Sequence, residues 1–132
     1  MKKHARLTAK SYLVGIPVPY LDRNGQKLDR SLTATWTKKT LLELTECFGG
    51  ATPLSAPATN RVGENVLFEE GQTLVLSGCD DRDEYLLKRD RIQEFVEHMG
   101  VALNQYSVFV LAFPSDSFLL EIAVTRKTRK KT

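Results

Sequence analysis

The sequence predicts an α+β domain in which two helices lie on one face of an antiparallel sheet. Three observations carry that expectation. Two stretches, near 31–48 and 80–99, repeat apolar residues at roughly helical spacing. Apolar, often β-branched runs flank them in the order β-α-β-β-α-β, with one further run at the C-terminal end. The chain has 132 residues, 42% hydrophobic and 27% charged, the size and composition of one globular core.

Tyr12-Leu13-Val14-Gly15-Ile16-Pro17-Val18 reads as strand one, with pairing expected to fade where Pro17 and Pro19 lack an N–H. Asp22-Arg23-Asn24-Gly25 is a turn signal, and a loop is expected to about Arg30. Helix one begins near Asp29 or Ser31, either of which can cap it. Leu32, Trp36, Leu41, Leu44 and Phe48 form its stripe, and Gly49-Gly50 ends it. Ala51–Thr59, with two prolines, reads as a short edge strand, followed by a loop over 59–65.

Val66-Leu67-Phe68 and Thr73-Leu74-Val75-Leu76 are expected to form one long strand with a bulge at Gly71. Helix two should start at a cap on Asp80 and end before Gly100, with Tyr85, Ile92, Phe95, Val96 and Met99 buried. Ser107–Phe113 reads as strand four, 114–117 as a turn, and Phe118–Val124 as the additional C-terminal strand.

A split β-α-β-β-α-β chain most simply gives the strand order 4-1-3-2, and residues 11–125 resemble the ferredoxin-like plait in this layout. The Leu103-Asn104-Gln105-Tyr106-Ser107-Val108 lead-in to strand four is similar to small uncharacterised bacterial α+β domains of this shape. That resemblance implies a fold and no activity, so no catalytic residue follows from it.

In strand four, Ser107, Phe109, Leu111 and Phe113 alternate with Val108, Val110 and Ala112, so both faces are mostly apolar. Strand one likewise sets Tyr12, Val14, Ile16 and Val18 against Leu13. A sheet face left in water should alternate with polar residues. The second face is therefore expected to be covered, either by a second copy in a homodimer or by the last strand folding back.

Charge is segregated. Lys2, Lys3, Arg6 and Lys10 form a basic N-terminal arm over 1–10, and Arg126, Lys127, Arg129, Lys130 and Lys131 a basic tail over 126–132. These nine leave ten of the nineteen basic residues against all sixteen acidic ones, so the body over 11–125 is −6. Short basic arms on an acidic body fit a nucleic acid or an acidic protein. No apolar run reaches the ~18 residues of a membrane span. Tyr12–Tyr20, broken by Gly15, Pro17 and Pro19, does not read as a secretory signal. Cys47 and Cys79 have neither a disulfide framework nor zinc spacing and fit a reducing cytoplasm, as buried, inert thiols.

No phosphate-cradling, dinucleotide, zinc-protease or CxxC motif is present, and neither a cofactor nor a metal is expected. Asp80, Asp81, Asp83 and Glu84 could gather a divalent ion in a nuclease, but acids at a helix start are better explained as caps. His98, near the end of helix two, suits the negative helix terminus. One polar set gathers at a loop rim: Asp22, Arg23, Asp29, Arg30, Arg61, Asn104 and Gln105, where arginines beside carboxylates suit an anionic ligand or simply pair among themselves. The sequence thus reads as a small dimerising binding module rather than an enzyme, with a ligand-binding protein and a metal-dependent nuclease as its rivals.

Overall fold

The computed structural model describes the backbone over residues 6–62 and 65–123, and side chains over 10–55 and 72–114. Strand β1 (Arg6–Val18) leads to helix α1 (Arg30–Phe48), strands β2 (Thr52–Val62) and β3 (Asn65–Cys79), helix α2 (Arg82–Ala102) and strand β4 (Leu111–Ala123). The sheet is antiparallel in the order β2-β3-β1-β4, the ferredoxin-like arrangement the element order predicts.

Local chemistry sets the helix ends. Asp29 caps α1, its carboxylate accepting from the Ser31 N–H at 2.9 Å. Gly49 closes it at φ 93°, a left-handed conformation that costs glycine nothing, and its N–H donates to Thr45 O at 2.7 Å. Threonine is a poor helix former, yet in α1 Thr35, Thr37 and Thr40 each donate a hydroxyl to the carbonyl four residues back, at 2.7–2.9 Å. This lets Thr40 lie fully buried with its hydroxyl satisfied.

Both helices pack on one face. Tyr12, Val14, Ile16 and Val18 of β1 and Val75 and Cys79 of β3 are buried against Leu44 and Cys47 of α1 and Ile92, Val96 and Met99 of α2. Each large side chain sealed there, such as Ile16, Leu44 or Ile92, contributes about 1.5–3 kcal/mol. Of the expected helix-one stripe only Leu44 is fully buried. Leu32, Trp36, Leu41 and Phe48 flank the core, while Thr40 and Cys47 take inner positions.

The long third strand and its bulge are present: Ala56 faces Gln72 and Ala58 faces Glu69, so Glu70 and Gly71 together oppose Pro57. Other boundaries move. Residues 59–62 are not loop; Ala58 to Val62 pair with Glu69 to Asn65, because ladder hydrogen bonds outweigh the turn-like composition of Asn60 and Arg61. Strand four begins at Leu111, not Ser107, since the β1–β4 ladder ends at Gly15↔Leu111, just before Pro17.

No turn interrupts 114–117 and no separate fifth strand follows among the described residues. β4 runs on, bulged where Lys10↔Leu119 steps to Tyr12↔Pro114, and its outer half pairs with Arg6–Lys10 within the sheet. The last strand therefore does not fold back across the open face. The cap of α2 is Asp81, which accepts from the Glu84 N–H at 2.9 Å, rather than Asp80. Gly100 lies inside α2, and the chain leaves the helix at Leu103 and at Asn104, whose φ is 54°.

Two ribbons extend from opposite corners. β1 and β3 pair only from Tyr12↔Cys79 to Val18↔Thr73. Beyond Thr73, β2 and β3 continue alone to Val62↔Asn65; beyond Cys79, β1 and β4 continue alone to Arg6↔Ala123.

Candidate functional site

Of the polar rim set, four residues meet. The Asp22 carboxylate accepts from the Asn24 N–H at 2.8 Å and the Gln26 N–H at 3.0 Å, forming a closed turn. The Gln26 N–H, with Asn24, the Asn104 side chain and Arg23 adding smaller effects, holds the Asp22 carboxyl below its ordinary value against some opposing desolvation. The Arg23 N–H donates to Asn104 O at 2.9 Å, and its guanidinium lies 4.6 Å from the centre of the Tyr106 ring. Gln105 Nε2 donates to Leu21 O and Leu103 O, each at 2.8 Å. These contacts tie the β1–α1 loop to the end of α2.

The other three do not join them as a ligand set. Asp29 is the α1 cap, Arg30 is the exposed first residue of that helix, and Arg61 stands opposite Val66 in the β2–β3 ribbon. Tyr106, which receives the Arg23 cation, does not stand out by composition; an aromatic one residue from Gln105 is its only signal in the sequence.

The acids at the start of α2 are likewise engaged. Asp80 accepts from Lys10 Nζ at 2.9 Å, Asp81 caps the helix, and Glu84 accepts from the Asp80 N–H at 2.6 Å. Among the described residues no three His, Cys, Asp or Glu side chains gather as metal ligands. Cys47 and Cys79 are both buried; desolvation raises the Cys47 thiol and pushes that of Cys79 up to about 12. His98 is exposed in a small groove between the helices beside Trp36 and Phe95.

Of the nine tail cations, Lys10 is described with its side chain and Arg6 by its backbone. Lys2, Lys3, Arg126, Lys127, Arg129, Lys130 and Lys131 lie outside the described residues.

The feature left without a partner among the described residues is the sheet face opposite the helices. Register places Leu13, Gly15 and Pro17 on it, opposite Phe113, Leu111 and Leu76, and Leu74. Leu54 joins them through Leu74. A side chain at Gly15 would stand 3.0 Å from Leu76 Cδ2, 3.4 Å from Leu74 Cδ1 and 3.5 Å from Leu111 Cδ1, so these leucines close over its bare backbone. Leu54, Leu111 and Phe113 are 40–45% exposed. Over 12–18, 52–55, 73–79 and 111–113 the sheet has no charged residue. The sequence points to this face from strands one and four; it does not mark Leu54, Leu74 and Leu76.

A groove of about 830 Å³ opens at one end of this face, floored by Leu13 and Leu76 and walled by Phe48, Gly49 and Gly50, with Lys10 at its rim. A second, of about 710 Å³, runs between α2 and residues 105–110 over Ile92 and Val96.

No family model matches the chain, and neither does any curated protein. Among solved structures it is similar to a phage SAM lyase in complex with S-methyl-5'-thioadenosine, at 9% identity and a TM-score of 0.56, covering 91% of this chain and 94% of that one. The same lyase in its apo state gives 0.55 over the same spans. A divalent cation tolerance protein (Cut A1) from Thermus thermophilus matches at 13% identity and 0.46, over 81% and 85% of the two chains. At 9% identity the likeness to the lyase is one of fold.

Proposed function

We infer that this chain is a self-assembling binding module: two copies close on each other through the open sheet face, and the basic segments engage an acidic partner. The observation that carries the reading is the uncharged leucine face around Gly15. The uncharged part of that face, over 12–18, 52–55, 73–79 and 111–113, spans roughly 350 Å² at ordinary strand rise and spacing. A stable interface takes about 800 Å² from each partner, so this patch supplies its apolar centre rather than its whole extent. The described part of the face offers no charge that would select a different protein. Its natural complement is the same surface on a second copy, since two-fold pairs are the commonest assemblies.

The test is solution mass at micromolar concentration. The expected value is twice the 14.9 kDa of the chain. Leu111→Lys with Phe113→Lys should return the single-chain mass without unfolding, because both side chains stand outside the helix-side core. A wild-type protein that stays single at 100-fold higher concentration overturns the reading.

A ligand-binding role is the second reading, supported by the groove beside Lys10 and by a fold shared with a lyase that holds S-methyl-5'-thioadenosine. The likeness supplies a molecule to try and no site residue. A rise in melting temperature with that compound or with small anionic metabolites, lost in Gly50→Phe, supports it. No shift with any of them retires it.

A further inference from the structure

The sheet ends in two unlike edges. β2, on one side, carries Pro53 and Pro57, which have no N–H to offer a further strand. β4, on the other, lacks such blocks: from Gln105 to Phe113 the chain holds neither a charge nor a proline. Those are the devices that ordinarily keep an edge from pairing.

The lead-in to β4 also has the pattern of a strand before any ladder begins. Pairing with β1 stops at Gly15↔Leu111. Yet Ser107, Phe109, Leu111 and Phe113 are exposed, while Val108, Val110 and Ala112 are half-buried. That alternation marks extended chain, and it runs from the bend at Tyr106 to Pro114. On its helix side the groove of about 710 Å³ lies open over Ile92 and Val96, with Val108 and Val110 along its wall.

We propose that residues 107–113 pair antiparallel with the same residues of a second copy, about a two-fold axis at Val110, the midpoint of the stretch. Two four-stranded sheets then join into one of eight. This contact is separate from the face-to-face pairing inferred above and does not rest on it.

The pairing accounts for three features at once. Phe109 comes beside Leu111 of the second copy, a favourable cross-strand pair. Val108 meets Ala112 of the second copy, so the added strand closes the groove over Ile92 and Val96. The same rotation reverses α2, whose stripe along the groove has Arg89 two turns before Glu97, with Gln93 midway. Arg89 of each copy is carried toward Glu97 of the other, and neither has an ion pair among the described residues. A different protein would have to supply the same strand and the reversed charges; a second copy does so by symmetry.

Tyr106, Phe109 and Phe113 are 79, 73 and 44% exposed, which leaves roughly 400 Å² of ring surface per copy in water. That is about half of what one partner brings to a stable interface, so the edge pair is a weak contact that fills above micromolar concentration.

The experiment uses the full chain carrying Leu76→Asp, a change on the open face that isolates the edge. Its mass should be that of one chain at micromolar concentration and approach two chains at roughly 100-fold higher. In that background Arg89→Glu and Glu97→Arg should each weaken the pair about 3- to 10-fold, and the two together should restore it. With Val110→Cys added, a glutathione redox buffer should link two copies at this position, since paired strands hold opposite Cα atoms about 4.5–5.5 Å apart, within disulfide reach. Leu87→Cys, exposed on α2 away from the groove, should link far more slowly.

A double swap no tighter than either single variant overturns the edge pair. So does a mass that stays single throughout the range. A Val110→Cys chain that links no faster than Leu87→Cys also overturns it, and leaves the edge to a strand of a different protein. Failure of the face-to-face reading shows separately, as wild-type and Leu76→Asp chains that associate identically.

Discussion

Asp22 and Cys79 show how opposite surroundings move two titrations in opposite directions. The backbone N–H groups of Gln26 and Asn24 favour the Asp22 carboxylate, so its folded value lies below the ordinary 3.8. Its contribution to stability is complete above that ordinary value and fades as pH falls below it. Asp22→Asn should flatten this part of an acid-unfolding curve while leaving neutral-pH spectra unchanged. Burial, aided by Glu84, Asp81 and Asp80, raises Cys79 instead. Stability is then intact below the ordinary 9.0 and declines as pH climbs toward about 12. A thiol reagent at pH 8 should label neither cysteine of the native chain and both after denaturation; rapid native labelling of Cys79 contradicts its burial. The number and spacing of the cysteines already suggest inert thiols, but the direction of each shift depends on neighbours brought in by the fold.

At the scale of elements, caps and breaks were largely legible, and the exceptions are instructive. Asp29 and Gly49 bound α1 as expected because each acts on atoms within four residues. At α2 the extended Asp81 caps the helix, while Asp80 pairs with Lys10 of β1. Asp81→Ala should cost about 1 kcal/mol in chemical denaturation, and Asp80→Ala clearly less. Gly100 looked like a helix end, yet the left-handed exit fell to Asn104, held by its contacts with Arg23 and Asp22. Asn104→Val should therefore destabilise by about 1–2 kcal/mol more than Asn104→Gly, since only the latter adopts that φ without strain. Arg91 of α2 forks onto Glu43 of α1 at 2.7 and 3.4 Å and reaches Glu46 at 2.6 Å. Being half exposed, this bridge should be worth less than about 1 kcal/mol, and Arg91→Met should matter least at high salt.

For the molecule as a whole, the helix face and the open face behave as two separate surfaces. Substitutions split accordingly. Ile92→Ala, in the sealed layer, should cost about 2–5 kcal/mol of folding stability whatever the protein concentration. Leu76→Asp, on the open face, should mainly weaken self-association, so its effect on melting temperature should grow with concentration. Equal effects of concentration on both variants would dissolve the distinction.

The sequence by itself determined the kind and order of the βαββαβ elements, and hence the antiparallel sheet with two helices on one face, but it split the last strand in two. Those features follow from periodicity and capping, which act over a few residues. Tertiary structure alone decided that β4 runs unbroken through Pro114 to Ala123, that Asp22 and Asn104 meet, and that Arg6 pairs with Ala123. Each of these depends on which distant strand or loop supplies the hydrogen-bonding partner, and local composition holds no record of that choice.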